Sequence, residues 1–198
     1  LERYAGSNVG LAMWRQSVVD CECNEEVFYV EGTDNSVGCG LCGIESIEEA
    51  MRSVPETASE QRFTAAEITG AVGELYEFQE LHKATGAVHA AGFYIPGKGV
   101  VAAREDVGRH NALDKLIGRA LLDDRLPLSD CIVMLSGRAS YELLQKSVMA
   151  GVPIVCAVSA PSSYAVALAE QFGVTLVGFL RGDRFNVYSH VERVCGAS

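Results

Sequence analysis

The chain has 198 residues, 48% of them hydrophobic, and a formal net charge of −10. That length and apolar content are enough for one folded core and exclude a disordered chain. The acidic balance opposes non-specific binding to DNA, RNA or an anionic membrane surface, and no apolar run is long enough to span a bilayer.

In chain order, residues 1–63 read as a loop-rich segment. An extended patch falls near residues 27–30, then Gly38-Cys39-Gly40-Leu41-Cys42-Gly43, then an Ile/Glu-rich stretch over residues 45–52. The chain opens on Leu1 with neither a secretory nor a transit leader, and an N-terminal portion is expected to precede it. From Thr64 the pattern sharpens. Thr64 and Glu67 form a capping box, and Ile68, Val72, Leu75 and Phe78 recur at helical spacing, predicting a helix over residues 65–83 stopped by Gly86. Two strands follow, over 87–95 and 99–103, joined by a Pro96-Gly97-Lys98 turn. Then come a helix (111–122), a buried strand (131–135), a helix (139–149), a buried strand (154–158), a helix (162–172) and a strand (174–179). Apolar strands alternating with helices of about three turns imply a sheet covered on both faces and largely parallel in its second half, a three-layer α/β/α fold. The expected organisation is an N-terminal segment (1–63) carrying the cysteine pair and an α/β domain (64–198).

Seven cysteines are an odd number, and Cys131 and Cys156 sit in apolar strand-like runs as small hydrophobes rather than halves of disulfides. A reducing cytoplasm is therefore the expected compartment.

The glycine-flanked pair Cys39 and Cys42 leaves two thiols accessible on a permissive backbone. A nearby positive charge or helix start favours the thiolate, the form that attacks a persulfide or disulfide sulfur. Ordinary loop cysteines are the plain alternative. Zinc is a weaker one, because one CxxC supplies two of four ligands and within the chain only Cys21 and Cys23 could complete the set. No resident metal is expected.

Four polar turns follow strands. The run Arg104-Glu105-Asp106-Val107-Gly108-Arg109-His110-Asn111 is explained residue by residue as a solvated loop. As a group, Arg109, His110 and the helix start after Gly108 read as a pocket rim that holds an anion. Ser136-Gly137-Arg138 and Ser159-Ala160-Pro161-Ser162-Ser163 join buried strands to helices, at the strand ends where open α/β sheets bind ligands. Ser136 also reads as a simple helix cap, and Pro161 falls near the first helical position. Last come Phe179, Leu180, Arg181, Gly182, Asp183 and Arg184, which suit a phosphate or guanine nucleotide and equally suit a charged hairpin turn.

Six strings, CGLCG, GAVHAAGFY, EDVGRHNALDK, SGRASYELLQK, VSAPSSYAVALA and VGFLRGDRFNVYS, together resemble the formate dehydrogenase accessory family FdhD/NarQ over residues 37–189. The resemblance implies a cytidine-deaminase-like fold, a homodimer, and a sulfurtransferase that passes sulfur from a cysteine desulfurase to the bis-molybdopterin guanine dinucleotide molybdenum cofactor. That cofactor is cargo destined for formate dehydrogenase. By the same resemblance Cys39 carries the persulfide, Cys42 assists or accepts sulfur, and residues 179–184 bind the guanine dinucleotide. A non-catalytic chaperone for the same cofactor is the alternative. A zinc deaminase is disfavoured, since His89 is followed by Ala90 and Ala91 where H-x-E is required, and Ser136-Gly137-Arg138 offers no thiolate. His89 then reads as a remnant pocket residue or a satisfied core histidine. The usual segment before the CxxC is largely unrecognisable here.

Overall fold

The computed structural model describes residues 59–196. The 27–30 patch, the 45–52 stretch, Cys21, Cys23 and the Cys39/Cys42 pair lie outside the described residues.

Strand β1 (Phe63–Thr64) leads into helix α1 (Ala65–Glu77). The capping box forms: the Glu67 N–H donates to Thr64 Oγ1 at 3.1 Å, and the Thr64 N–H to Glu67 Oε2 at 2.8 Å. Such a cap contributes about 1 kcal/mol. Helix α1 buries Ile68, Ala71 and Leu75, while Phe78 is half exposed. The single expected helix over 65–83 is in fact two, because Gln79 turns inward to 6% exposure and a short helix, α2 (Glu80–Thr85), restarts beyond it. That restart is capped from elsewhere in the chain: the Glu105 carboxylate accepts from the N–H groups of Leu81 and His82, each at 2.8 Å.

Strands β2 (His89–Ile95) and β3 (Gly99–Asp106) make the expected hairpin, with Gly97 at φ 74° and the Lys98 N–H donating to the Ile95 carbonyl. There follow α3 (Arg109–Leu122), β4 (Ile132–Leu135), α4 (Tyr141–Met149), β5 (Ile154–Ala157), α5 (Ser163–Gln171) and β6 (Thr175–Arg181). Two strands complete the chain beyond the expected elements, β7 (Arg184–Ser189) and, after a 3-10 turn, β8 (Val194–Cys195). The main sheet has the order β3-β2-β4-β5-β6-β7, parallel at β4/β5 and β5/β6 and antiparallel elsewhere. Parallel β1 and β8 form a separate pair, so that Phe63, at the edge of the expected N-terminal segment, is fully buried.

Helices cover both faces of this mixed α/β fold. On one face Leu113, Leu116 and Ile117 of α3, Leu143, Leu144 and Val148 of α4, and Ala165, Leu168 and Ala169 of α5 pack on Ala91, Phe93, Val133 and Val155. On the other, α1 and Phe63 pack on Tyr94, Ile132, Met134, Ile154 and Val177. Strands β4 and β5 are buried at every position, the reason they read as unbroken apolar runs. Cys131 and Cys156 are buried free thiols; burial, with Asp130 beside it, pushes Cys131 up to about 12, and burial also raises Cys156. Neither is a thiolate nucleophile.

Candidate functional site

The sheet register gathers the polar turns at one end. Leu135 closes β4 opposite Ala157 of β5 and Ala91 of β2. Because β2 runs antiparallel to β4, its first residue, His89, stands where β4 ends, and His89 pairs with Asp106, the last residue of β3. Strand β6 runs alongside β5 and continues past it through Gly178 to Arg181. The turns 106–110, 136–138, 158–161 and 178–184 therefore open on one rim, the carboxyl end of the parallel strands.

Hydrogen bonds from main-chain N–H groups lace these turns together. The Ala90 N–H donates to Ser136 Oγ at 2.8 Å, and the Ser136 N–H to the Ala90 carbonyl at 3.0 Å. The Ser159 N–H donates to the Gly137 carbonyl at 3.3 Å, and the Phe179 N–H to the Ser159 carbonyl at 3.2 Å. Ser136 is thus a tie between β2 and β4 and not a helix cap; Ser140 occupies the N-cap of α4. Ser162 caps α5 by accepting from the Ala165 N–H, which places Pro161 before the helix, bridged to Ala139.

The acidic members of the 104–111 run have structural duties. Glu105 caps α2, and Asp106 accepts from the Gly108 N–H at 2.8 Å and from Asn111 Nδ2 at 3.2 Å while pairing with Lys115 Nζ at 2.6 Å. Burial alone would raise the Asp106 carboxyl; the Lys115 hydrogen bond, with those from Gly108 and Asn111, outweighs it and holds the group below its usual value. These bonds set the extended Gly108 as N-cap and start α3 at Arg109, two residues earlier than the sequence predicts.

Arg109 and His110 consequently occupy the first turn of α3. Arg109 Nε is buried and has no hydrogen-bond partner among the described residues. His110 Nε2 lies 3.2 Å from Ser140 Oγ and 3.7 Å from Glu142 Oε2, tying the start of α3 to the start of α4. Burial, then the cations Arg109 and Lys146, lower the His110 pKa, only partly offset by Glu142. At neutral pH the ring is uncharged, so its hydrogen bond is the one with Ser140, and Glu142 at 3.7 Å is a neighbour rather than an ion-pair partner.

That shift carries a stability prediction. The fold favours neutral His110, so its contribution is complete above the ordinary imidazole value of 6.5 and is lost as pH falls below it toward the depressed value. The lowered carboxyls Asp106 and Glu142 act in a separate window, lost only as pH falls through their depressed values in the acid range. Denaturant midpoints between pH 7 and 5 are expected to decline in the unsubstituted protein and to decline less in His110→Gln. Equal slopes would remove His110 from this account.

The remaining candidates divide. Gly137 lies against His89 and Arg109: a Cβ there would stand 3.2 Å from His89 Nδ1 and 3.7 Å from Arg109 Cδ, so glycine lets both side chains approach the turn closely. Arg138 is exposed and Ser159 half-buried at the rim. Phe179 is 42% exposed at a positive φ of 52°, a strained conformation of the kind that concentrates at functional sites. Leu180 instead is 2% exposed within the core on the α1 face, so its side chain is committed to packing. Arg181 pairs with Arg184 across a hairpin turn through Gly182, at φ 59°, and Asp183; the hairpin reading of this segment is the one observed, and all four residues are exposed.

With both acids of the 105–106 pair engaged and Arg109, Arg138, Arg181 and Arg184 on the turns, the rim can receive an anion. The orphaned Arg109 donor suits an oxyanion, and the start of α3 adds main-chain donors. Among the described residues no group of three or more His, Cys, Asp or Glu could hold a metal ion. No described helix is long and apolar enough to cross a membrane. Sequence reasoning missed the buried pair Asp114–Lys146 between α3 and α4; the signal was an acid on the apolar face of α3.

The model of the FdhD/NarQ family matches residues 18–195. The chain is 48% identical over 162 residues to the sulfur carrier protein FdhD of Nocardia farcinica, covering 81% of this chain and 58% of the relative. It is 45% identical over 156 residues to the protein of that name from Sulfurisphaera tokodaii, covering 79% and 60%. Among solved structures it is similar to a chain from Desulfotalea psychrophila described as a formate dehydrogenase accessory protein. That match has a TM-score of 0.68 and 33% identity, over 74% of this chain and 62% of that one. The chain thus spans about three fifths of the length of these curated relatives.

Proposed function

The chain belongs to the FdhD/NarQ family, and on that footing we propose that it is a sulfur carrier that serves the maturation of formate dehydrogenase. In this reading the Cys39 thiolate attacks the outer sulfur of a persulfide on a cysteine desulfurase. The donor's S–S bond breaks, its cysteine leaves as thiolate, and Cys39 becomes the persulfide. Cys42 assists release: its thiolate attacks the inner sulfur, a Cys39–Cys42 disulfide forms as the persulfide S–S bond breaks, and sulfide departs with the electron pair of that bond, the two cysteine sulfurs being oxidised to the disulfide. The recipient is the bis-molybdopterin guanine dinucleotide molybdenum cofactor, bound as cargo. The same reading places the protein in the cytoplasm, as a homodimer with cytidine-deaminase-like layering.

The observation that carries the cargo half of the proposal is the convergence of four polar turns on one rim with an unsatisfied Arg109 donor among them. Arg109, Arg138, Arg181 and Arg184 would neutralise phosphates, and N–H groups at the starts of α3 and α4 would add donors. Calorimetric titration with GDP and with guanosine tests it. Arg109→Ala should weaken GDP by roughly 10- to 100-fold, the value of a hydrogen bond to a charged group, and shrink the preference for GDP over guanosine. Equal GDP affinity in both proteins, or none in either, would take the nucleotide off this rim.

A further inference from the structure

The chain has four histidines, all described. Three have their rings tied: His82 Nδ1 to the Val88 carbonyl at 3.0 Å, His110 Nε2 to Ser140, and His190 by both nitrogens to Glu192 and the Glu170 carbonyl. His89 has no ring hydrogen bond among the described residues. It is half-buried, so a satisfied core histidine is not what the structure holds. It opens β2 at the rim, and its Nδ1 borders the space that a Cβ on Gly137 would fill. Arg109 borders the same space, with its own Nε buried and unpaired.

An imidazole and a guanidinium, each with an uncommitted donor, thus approach each other over Gly137, where the absence of a Cβ lets both side chains come close. Arginine offers donors only, whereas a neutral imidazole offers one donor and one acceptor. Their common partner is an acceptor, and the start of the 14-residue helix α3 at Arg109 favours one that is negatively charged. We propose that His89 and Arg109 jointly hold one phosphoryl oxygen of the nucleotide part of the cargo, with the His89 ring in direct contact with it. The proposal rests on the nucleotide-binding reading above and adds to it a contact residue and the group that this residue recognises. It also gives Gly137 a role, since a Cβ there would stand 3.2 Å from His89 Nδ1 and press on the ring that makes the contact.

The test is a GDP titration followed by NMR on the imidazole C–H resonances, with His89 assigned by its absence from the spectrum of His89→Gln. The His89 resonance is expected to move with GDP and with inorganic pyrophosphate but not with guanosine. His89→Ala should bind GDP about 10-fold more weakly, and His89→Gln, which keeps an amide donor, should recover part of the loss. A His89 resonance unmoved at GDP saturation overturns the proposal while leaving nucleotide binding at the rim intact. Failure of the unsubstituted protein to bind GDP overturns both.

Discussion

Replacing Cys39 with alanine is expected to reduce formate dehydrogenase maturation to background when the variant is the only copy of this protein in the cell. A carrier must hold sulfur covalently, only a thiolate of adequate nucleophilicity can take it from a persulfide, and neither described core cysteine qualifies: Cys131 is raised to about 12 and Cys156 is wholly buried. Cys42→Ala should retain persulfide loading but slow sulfide release, because the partner that closes the disulfide is gone. Joint replacement of Cys39 and Cys42 separates the carrier from a chaperone that merely holds the cofactor. A chaperone would support full maturation without either thiol, and that result would end the carrier reading.

The second large effect is on stability. Lys146 of α4 is almost wholly buried and pairs with Asp114 of α3 at 2.5 Å, locking together the two helices whose first turns carry Arg109, His110 and Ser140. Lys146→Met leaves a buried carboxylate without this cation and should destabilise the fold by about 3–5 kcal/mol in denaturant unfolding. Adding Asp114→Leu removes the buried carboxylate as well, and the double variant should regain most of the loss, since an apolar pair of similar volume is often neutral. Additive losses in the two single variants would show that the pair is not coupled.

The parts of the fold legible in the sequence are those where local pattern and tertiary environment agree. Strands β4 and β5 are buried on both faces, so their apolar runs could be nothing else, and the Thr64/Glu67 box marked the start of α1 to the residue. What escaped depends on groups distant in sequence. The break at Gln79 has no glycine or proline to announce it, and α2 restarts because a carboxylate 24 residues ahead caps it. Strand β7 lies on the edge of the sheet with alternating exposure, and β8 has only two residues, made a strand by pairing with β1. The rim was legible for a topological reason: turns after parallel strands share one end of the sheet. Its chemistry was less so. Glu105 and Asp106 are engaged in capping and pairing, Leu180 in the core, and His89, read as a remnant pocket residue or a satisfied core histidine, is the histidine with an untied ring.

The central claim is that sulfur rides on Cys39, and intact-mass spectrometry with peptide mapping tests it most directly. After incubation with a cysteine desulfurase and cysteine, the protein should carry one added sulfur, located on the peptide that contains Cys39 and missing from Cys39→Ala. An unmodified protein, or an addition that persists undiminished in Cys39→Ala, would contradict the account.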